Sequence, residues 1–251
     1  MADSFWDKGV DSPPTAGVLR HSVAVRISHW LNLLCFLALL VSGVEILISH
    51  PRFYWGEAGN VNTKPLFQIP IPSSRAIVPT GYGYVLPDQN GWSRALHFQG
   101  AWMLLFLSAA YLGYSFFSGH LKRDLAPRAA DLAPGVVMDS IRKHARFDLE
   151  EEKRATSYNV LQRLSYLKVL FVLFPLMIWS GLAMSPAFAA AVPAAVAALG
   201  GHQSARTIHF FVTISLLLFV LVHVLMVYLT GFRRRLRAMT IGGGSAIEEQ
   251  A

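Results

Sequence analysis

The stretch Thr207–Leu229, TIHFFVTISLLLFVLVHVLMVYL, decides the fold. It is an unbroken apolar run, long enough as a helix to cross a bilayer. It carries two histidines, His209 and His223, 14 residues apart. Fourteen helical steps leave the two side chains about 40° apart around the axis and about 21 Å apart along it. One face of one span therefore presents two imidazoles at two depths. Buried imidazole has few uses in lipid, and metal binding is among the commonest. Two depths predict two metals, each with a second ligand from another helix.

The second ligands stand at the starts of other apolar runs. Arg26-Ile-Ser-His29 opens the first run, Arg94-Ala-Leu-His97 the second and Arg206-Thr-Ile-His209 the fourth. Arg at i and His at i+3 share a helix face. Taken singly, such a pair reads as a snorkelling interface arginine beside a satisfied histidine. Repeated at three starts, it fits an iron porphyrin. That group needs an axial imidazole near its centre and a cation near its propionates.

Composition agrees with a membrane chain: 53% of 251 residues are hydrophobic and only 15% charged. Four apolar runs, about 27–49, 95–117, 164–184 and 207–229, are each long enough to span with some tilt. The expected fold is all-α and integral to the membrane, a four-helix bundle enclosing two b haems in a single domain, 1–251. The Ala-rich stretch 186–199 is shorter and holds Pro193, so it reads as a short outer helix. The first 26 residues are polar and broken by Pro13-Pro14, which predicts no cleavable signal peptide.

Lys and Arg set the expected orientation. The N-terminal arm has Lys8, Arg20 and Arg26, the loop 118–163 has nine, and the C-terminal arm has Arg233, Arg234, Arg235 and Arg237. The loop 50–94 has four in a longer stretch, and the segment 185–206 has one. Both termini and the middle loop are thus expected in the cytoplasm. The formal charge of +7 follows from topology, and the arginine run 233–237 reads as a stop-transfer anchor with no nucleic-acid partner. The histidines then sort by depth: His29 with His223 on the inner side, His97 with His209 on the outer. Arg26 would serve the inner haem, and Arg94 and Arg206 the outer.

The other histidines, His21, His50, His120, His144 and His202, lie in arms, loops or span ends and read as solvated. The single Cys35 forms no internal disulfide, and Cys-x-x-Cys-His is absent, so haem would be held non-covalently. Gly43 stands 14 residues after His29, at the depth of the other haem. It admits either a macrocycle edge or ordinary small-residue helix packing. Asn32 and Glu45 are polar within the first span, and Glu45 near its outer end can snorkel.

Four spans with histidines on the first, the second and twice on the fourth resemble the di-haem cytochrome b561-like membrane subunits. These include the b subunits of nickel–iron hydrogenases and the gamma subunit of respiratory formate dehydrogenase. The chain looks most like the thiosulfate-reductase-type cytochrome b branch. The strings carrying the resemblance are Val-Arg26-Ile-Ser-His29-Trp30, His50-Pro-Arg-Phe-Tyr-Trp55-Gly-Glu, Ser-Tyr158-Asn159-Val-Leu-Gln162-Arg and Ser-Ala-Arg206-Thr-Ile-His209-Phe, within about residues 18–236.

The resemblance implies an electron relay in a bacterial inner membrane, between a quinone pool and a periplasmic oxidoreductase subunit, often molybdenum-dependent. It also implies a quinone near His223, lined by residues matching Asn159 and Gln162, with Tyr158 beside them. Read from the sequence alone, those three are equally well helix caps and interface anchors. The loop 50–94 is long for a connection between spans, shows no helix or strand pattern, and is rich in aromatics and proline. It reads as a docking surface for the partner or a haem lid. A stand-alone quinol oxidase of the cytochrome b561 type would use the same four histidines but needs no such surface. A proton- or metal-handling transporter would leave the three arginines unexplained.

Overall fold

The computed structural model describes residues 21–60, 62–70, 89–119, 121, 126–127, 129–146 and 160–242. Four helices are long and apolar enough to cross a membrane: α1 (Val23–Ser49), α2 (Gln89–Phe117), α4 (Val160–Ala183) and α7 (His202–Leu229). Each begins a turn or more before the apolar run that announces it. The polar lead-in residues, such as Ser22 with its Oγ accepting from Val25 N at 3.3 Å, cap and extend the helix toward the membrane surface.

Shorter elements join them. An antiparallel pair, β1 (Arg52–Phe53) and β2 (Phe67–Gln68), lies in the loop expected to lack regular structure. Helix α3 (Pro134–Ala145) lies in the middle loop, with Pro134 at its first position, where a missing N–H costs nothing. The Ala-rich stretch divides into α5 (Pro186–Ala191) and α6 (Pro193–Ala197), separated at Val192 because Pro193 cannot continue a helix. The arginine run belongs to α8 (Phe232–Thr240), started by Gly231 at φ 107°. Its Phe232, Leu236 and Met239 repeat at helical spacing. It folds back on the start of α1, where Arg26 donates to Thr240 O at 3.0 Å and Trp30 Nε1 to Met239 O at 3.0 Å.

Helix α4 contains one π-helical segment, Val169–Leu173. Pro175 follows it and lacks the N–H that a regular ladder needs. The wider turn, closed by Phe174 N on Val169 O, absorbs that defect.

The bundle is two hairpins. The principal contacts between spans run from α1 to α2 and from α4 to α7, and none of comparable extent joins the pairs. Among the described residues the largest fully buried side chains are Thr207, Ser42, Ser49, Ser93, Ser115, Ser180 and Ser204. Lipid is as apolar as leucine, so large aliphatic groups gain little by turning inward. Small residues instead let the backbones approach. Apolar packing concentrates where α6 covers the ends of α4 and α7, through Ala183, Val196, Leu199 and Ala205.

The loop after α1 caps α7. Glu57 Oε2 accepts from His202 N at 3.2 Å, and Gly56 O accepts from Gln203 N and Ser204 N at 3.0 and 3.2 Å. These are the N–H groups that a helix start leaves unpaired. In return Gly56 N donates to Ser204 Oγ at 2.7 Å, and Thr207 Oγ1 to Tyr54 O at 2.7 Å. Gly201, at φ 104°, is required here: a Cβ would stand 2.7 Å from the Gly56 carbonyl. Replacing buried Ser204 by Ala leaves the Gly56 N–H without its acceptor. A loss of about 1–3 kcal/mol is expected, read as a lower unfolding midpoint in detergent.

Candidate functional site

His29 lies on α1, His97 on α2, and His209 and His223 on α7. The structure brings them together as two pairs across the interface between the hairpins. The His29 and His223 ring centroids are 6.3 Å apart, at 50°. Those of His97 and His209 are 6.2 Å apart, at 61°. Both partnerships are the ones expected from the spacing together with the Lys and Arg topology.

The separations fit a metal held between the rings. A metal–imidazole bond of about 2 Å and a ring radius of about 1.1 Å place two facing centroids about 6.2 Å apart. The donor set fits a macrocycle. Among the described residues no three His, Cys, Asp or Glu side chains converge on one point, so each site offers two imidazoles and requires the other ligands from the bound group. Haem would supply them.

Two serines complete the His97–His209 site, and neither is evident from the sequence. Ser42 Oγ lies 3.0 Å from His97 Nδ1, and Ser180 Oγ lies 3.1 Å from His209 Nδ1. Each is followed by a glycine. A Cβ on Gly43 would meet His97 Cε1 at 3.5 Å, and one on Gly181 would meet His209 Cε1 at 3.4 Å. The next atom met is Nδ1, at 3.8 Å in His97 and 3.7 Å in His209, so each glycine lets its helix approach the Nδ1–Cε1 edge of the ring that the serine faces. The Ser-Gly dipeptide recurs at 42–43 and 180–181, but it also stands at 118–119, so by itself it does not single out this cradle.

The His29–His223 site is built differently. Trp30 meets His29 edge-on at 5.2 Å, and Phe219 stacks on His223 at 6.0 Å and 20°. His29 Nδ1, Asn32 Oδ1 and Arg26 Nε are buried without a hydrogen-bond partner among the described residues. Arg26 is one turn before His29, and its orphaned Nε is a donor suited to a propionate carboxylate.

The other two arginines have different settings. Arg206 donates to the His50 carbonyl and stands 5.0 Å over the Phe53 ring, so the loop after α1 engages it. Arg94 lies exposed on α2, one turn before His97. Gln162 is half-buried in the first turn of α4, whereas Tyr158 and Asn159 lie outside the described residues.

Residues 20–242 match the sequence profile of prokaryotic cytochrome b561. The chain belongs to that family. It is a multi-pass bacterial membrane protein of the b-type cytochrome class, with a b haem cofactor and a role in electron transfer. A relative from Azospira oryzae, named "Putative protein-methionine-sulfoxide reductase subunit YedZ1", is 28% identical over 215 residues, 83% of this chain and 90% of the relative. No solved structure matches the chain.

Proposed function

We propose that this cytochrome relays electrons through two haem b groups, between a membrane quinone and an oxidoreductase subunit on the outer face. The observation that carries this reading is the pair of imidazole couples, 6.3 and 6.2 Å between centroids, at opposite ends of one bundle. His29 and His223 would hold the inner haem, His97 and His209 the outer. Bound there, haem supplies a reversible one-electron iron couple.

The chain's own residues account for the rest. Two imidazoles per site would hold the iron, which would leave no position there for oxygen or substrate. Helix α7 carries one ligand of each site about 21 Å apart, which spans most of the hydrocarbon core. The bias of Lys and Arg toward the middle loop and the C-terminal arm supports cytoplasmic termini, with the His29–His223 site inward. Arg26 would pair with the inner propionates, and Arg94 and Arg206 with the outer. Arg206 then also ties the loop 50–94 to that site through His50 and Phe53. The relative's name points to a reductase as the class of partner. A molybdenum enzyme is the form that the resemblance to the thiosulfate-reductase branch suggests.

Quinone exchange is assigned to the inner side, near His223, and to Tyr158, Asn159 and Gln162, the residues that the family resemblance implies. Anaerobic rapid mixing with a reduced quinol tests this. Asn159→Ala combined with Gln162→Ala is expected to slow haem reduction tenfold or more, on the order of two lost hydrogen bonds, with both haem spectra unchanged. Unchanged kinetics would move the quinone elsewhere, with the interface near Glu45 the next position to test.

A further inference from the structure

Ser42 and Ser180 come from different hairpins, yet they treat His97 and His209 alike. Both serines are fully buried. Ser42 Oγ donates to Ala38 O at 2.6 Å, with Leu39 O at 3.2 Å. Ser180 Oγ donates to Leu176 O at 2.7 Å, with Met177 O at 3.1 Å. A hydroxyl has one proton, and here it points back into the serine's own helix. Toward the imidazole each Oγ can only accept. Nδ1 of both histidines must then carry the hydrogen, and the lone pair stands on Nε2. At the other site His29 Nδ1 is buried with no such acceptor among the described residues.

We infer that Ser42 and Ser180 are positioning residues that fix His97 and His209 in the Nδ1-protonated tautomer and lower the reduction potential of the iron between them. The inference rests on the proposed haem at that pair. An acceptor at Nδ1–H raises the basicity of the opposite nitrogen and so favours the ferric state. The π turn supports the arrangement from the backbone. It shifts the register of α4 ahead of Ser180, whose Ser-Gly pair then meets His209 as Ser42-Gly43 meets His97.

Redox titration of the haem-loaded protein, with the two haems resolved spectrally, tests the inference. Ser42→Ala and Ser180→Ala should each raise the potential of the haem that His97→Ala removes. The double variant should raise it further, Ser42→Thr should restore it, and the other haem should not move. The expected shift is roughly threefold to tenfold in the ferric-to-ferrous ratio at fixed potential, tenfold being 59 mV for one electron. An unchanged potential with both haems retained, or an equal shift of both, overturns the inference. Should the Ala variants shed that haem, ¹⁵N shifts of His97 and His209 in the haem-free protein decide. Hydrogen on Nδ1 is expected, and hydrogen on Nε2 overturns it. If His97→Ala removes no haem component, the proposed function fails instead, and the ¹⁵N shifts still judge the serines.

Discussion

His97→Ala and His209→Ala should each abolish the same haem component, about half of the total, and leave the other component intact. His29→Ala and His223→Ala should each abolish the other half. The pairing follows from the ring separations of 6.3 Å for His29 and His223 and 6.2 Å for His97 and His209. A single imidazole cannot keep iron six-coordinate and low-spin, and a variant that retains haem should turn high-spin at that site alone. Optical and paramagnetic resonance spectra of the four purified variants read this directly. Circular dichroism checks that the helices survive. If His97→Ala and His29→Ala lost the same component, the assignment of sites would be wrong.

Trp55→Asp together with Leu66→Asp should abolish electron transfer to the partner subunit while sparing reduction by quinol. The loop after α1 divides its residues between two tasks. Phe53 and Tyr54 are buried, Phe53 stacks on Phe67 at 4.7 Å and meets Phe210 at a tilt at 4.5 Å, and Gly56 and Glu57 cap α7. Trp55 and Leu66 contribute little to that packing, and each is 60% exposed. A packed segment that presents a tryptophan outward has the anatomy of an interface anchor, where a hot-spot residue is worth about 2 kcal/mol or more, about thirtyfold in affinity. Haem oxidation by the co-purified partner measures it, with quinol reduction of the same variant as the control. Unimpaired transfer would place docking elsewhere. Deleting the whole loop is a poorer test, because it also uncaps α7.

The features visible in the sequence are those governed by a period. Apolar length announces the four spans, and the 14-residue interval between His209 and His223 fixes their shared face before any contact is known. Helix α8 was equally open to reading, since Phe232, Leu236 and Met239 share a face, but the four arginines among them suggest a plain anchor. Non-periodic features stay hidden. Ser42 and Ser180 look like any serine in a membrane helix, which ordinarily bonds back to its own turn. Only the approach of another helix turns the Oγ lone pair toward an imidazole. Arg206 likewise reads only as a propionate partner, and its bond to the His50 carbonyl is legible only once the loop after α1 is in place. The capping of α7 by Gly56 and Glu57 joins residues about 145 apart in sequence, which no local pattern encodes.

The most direct test of the account is the haem content of the purified chain. A pyridine haemochrome assay against protein determined by amino-acid analysis gives the ratio, and the resting spectrum gives the spin state. Two imidazole couples predict a ratio near two, all of it b-type and low-spin. A ratio near one, or a high-spin component in the resting protein, would contradict the account.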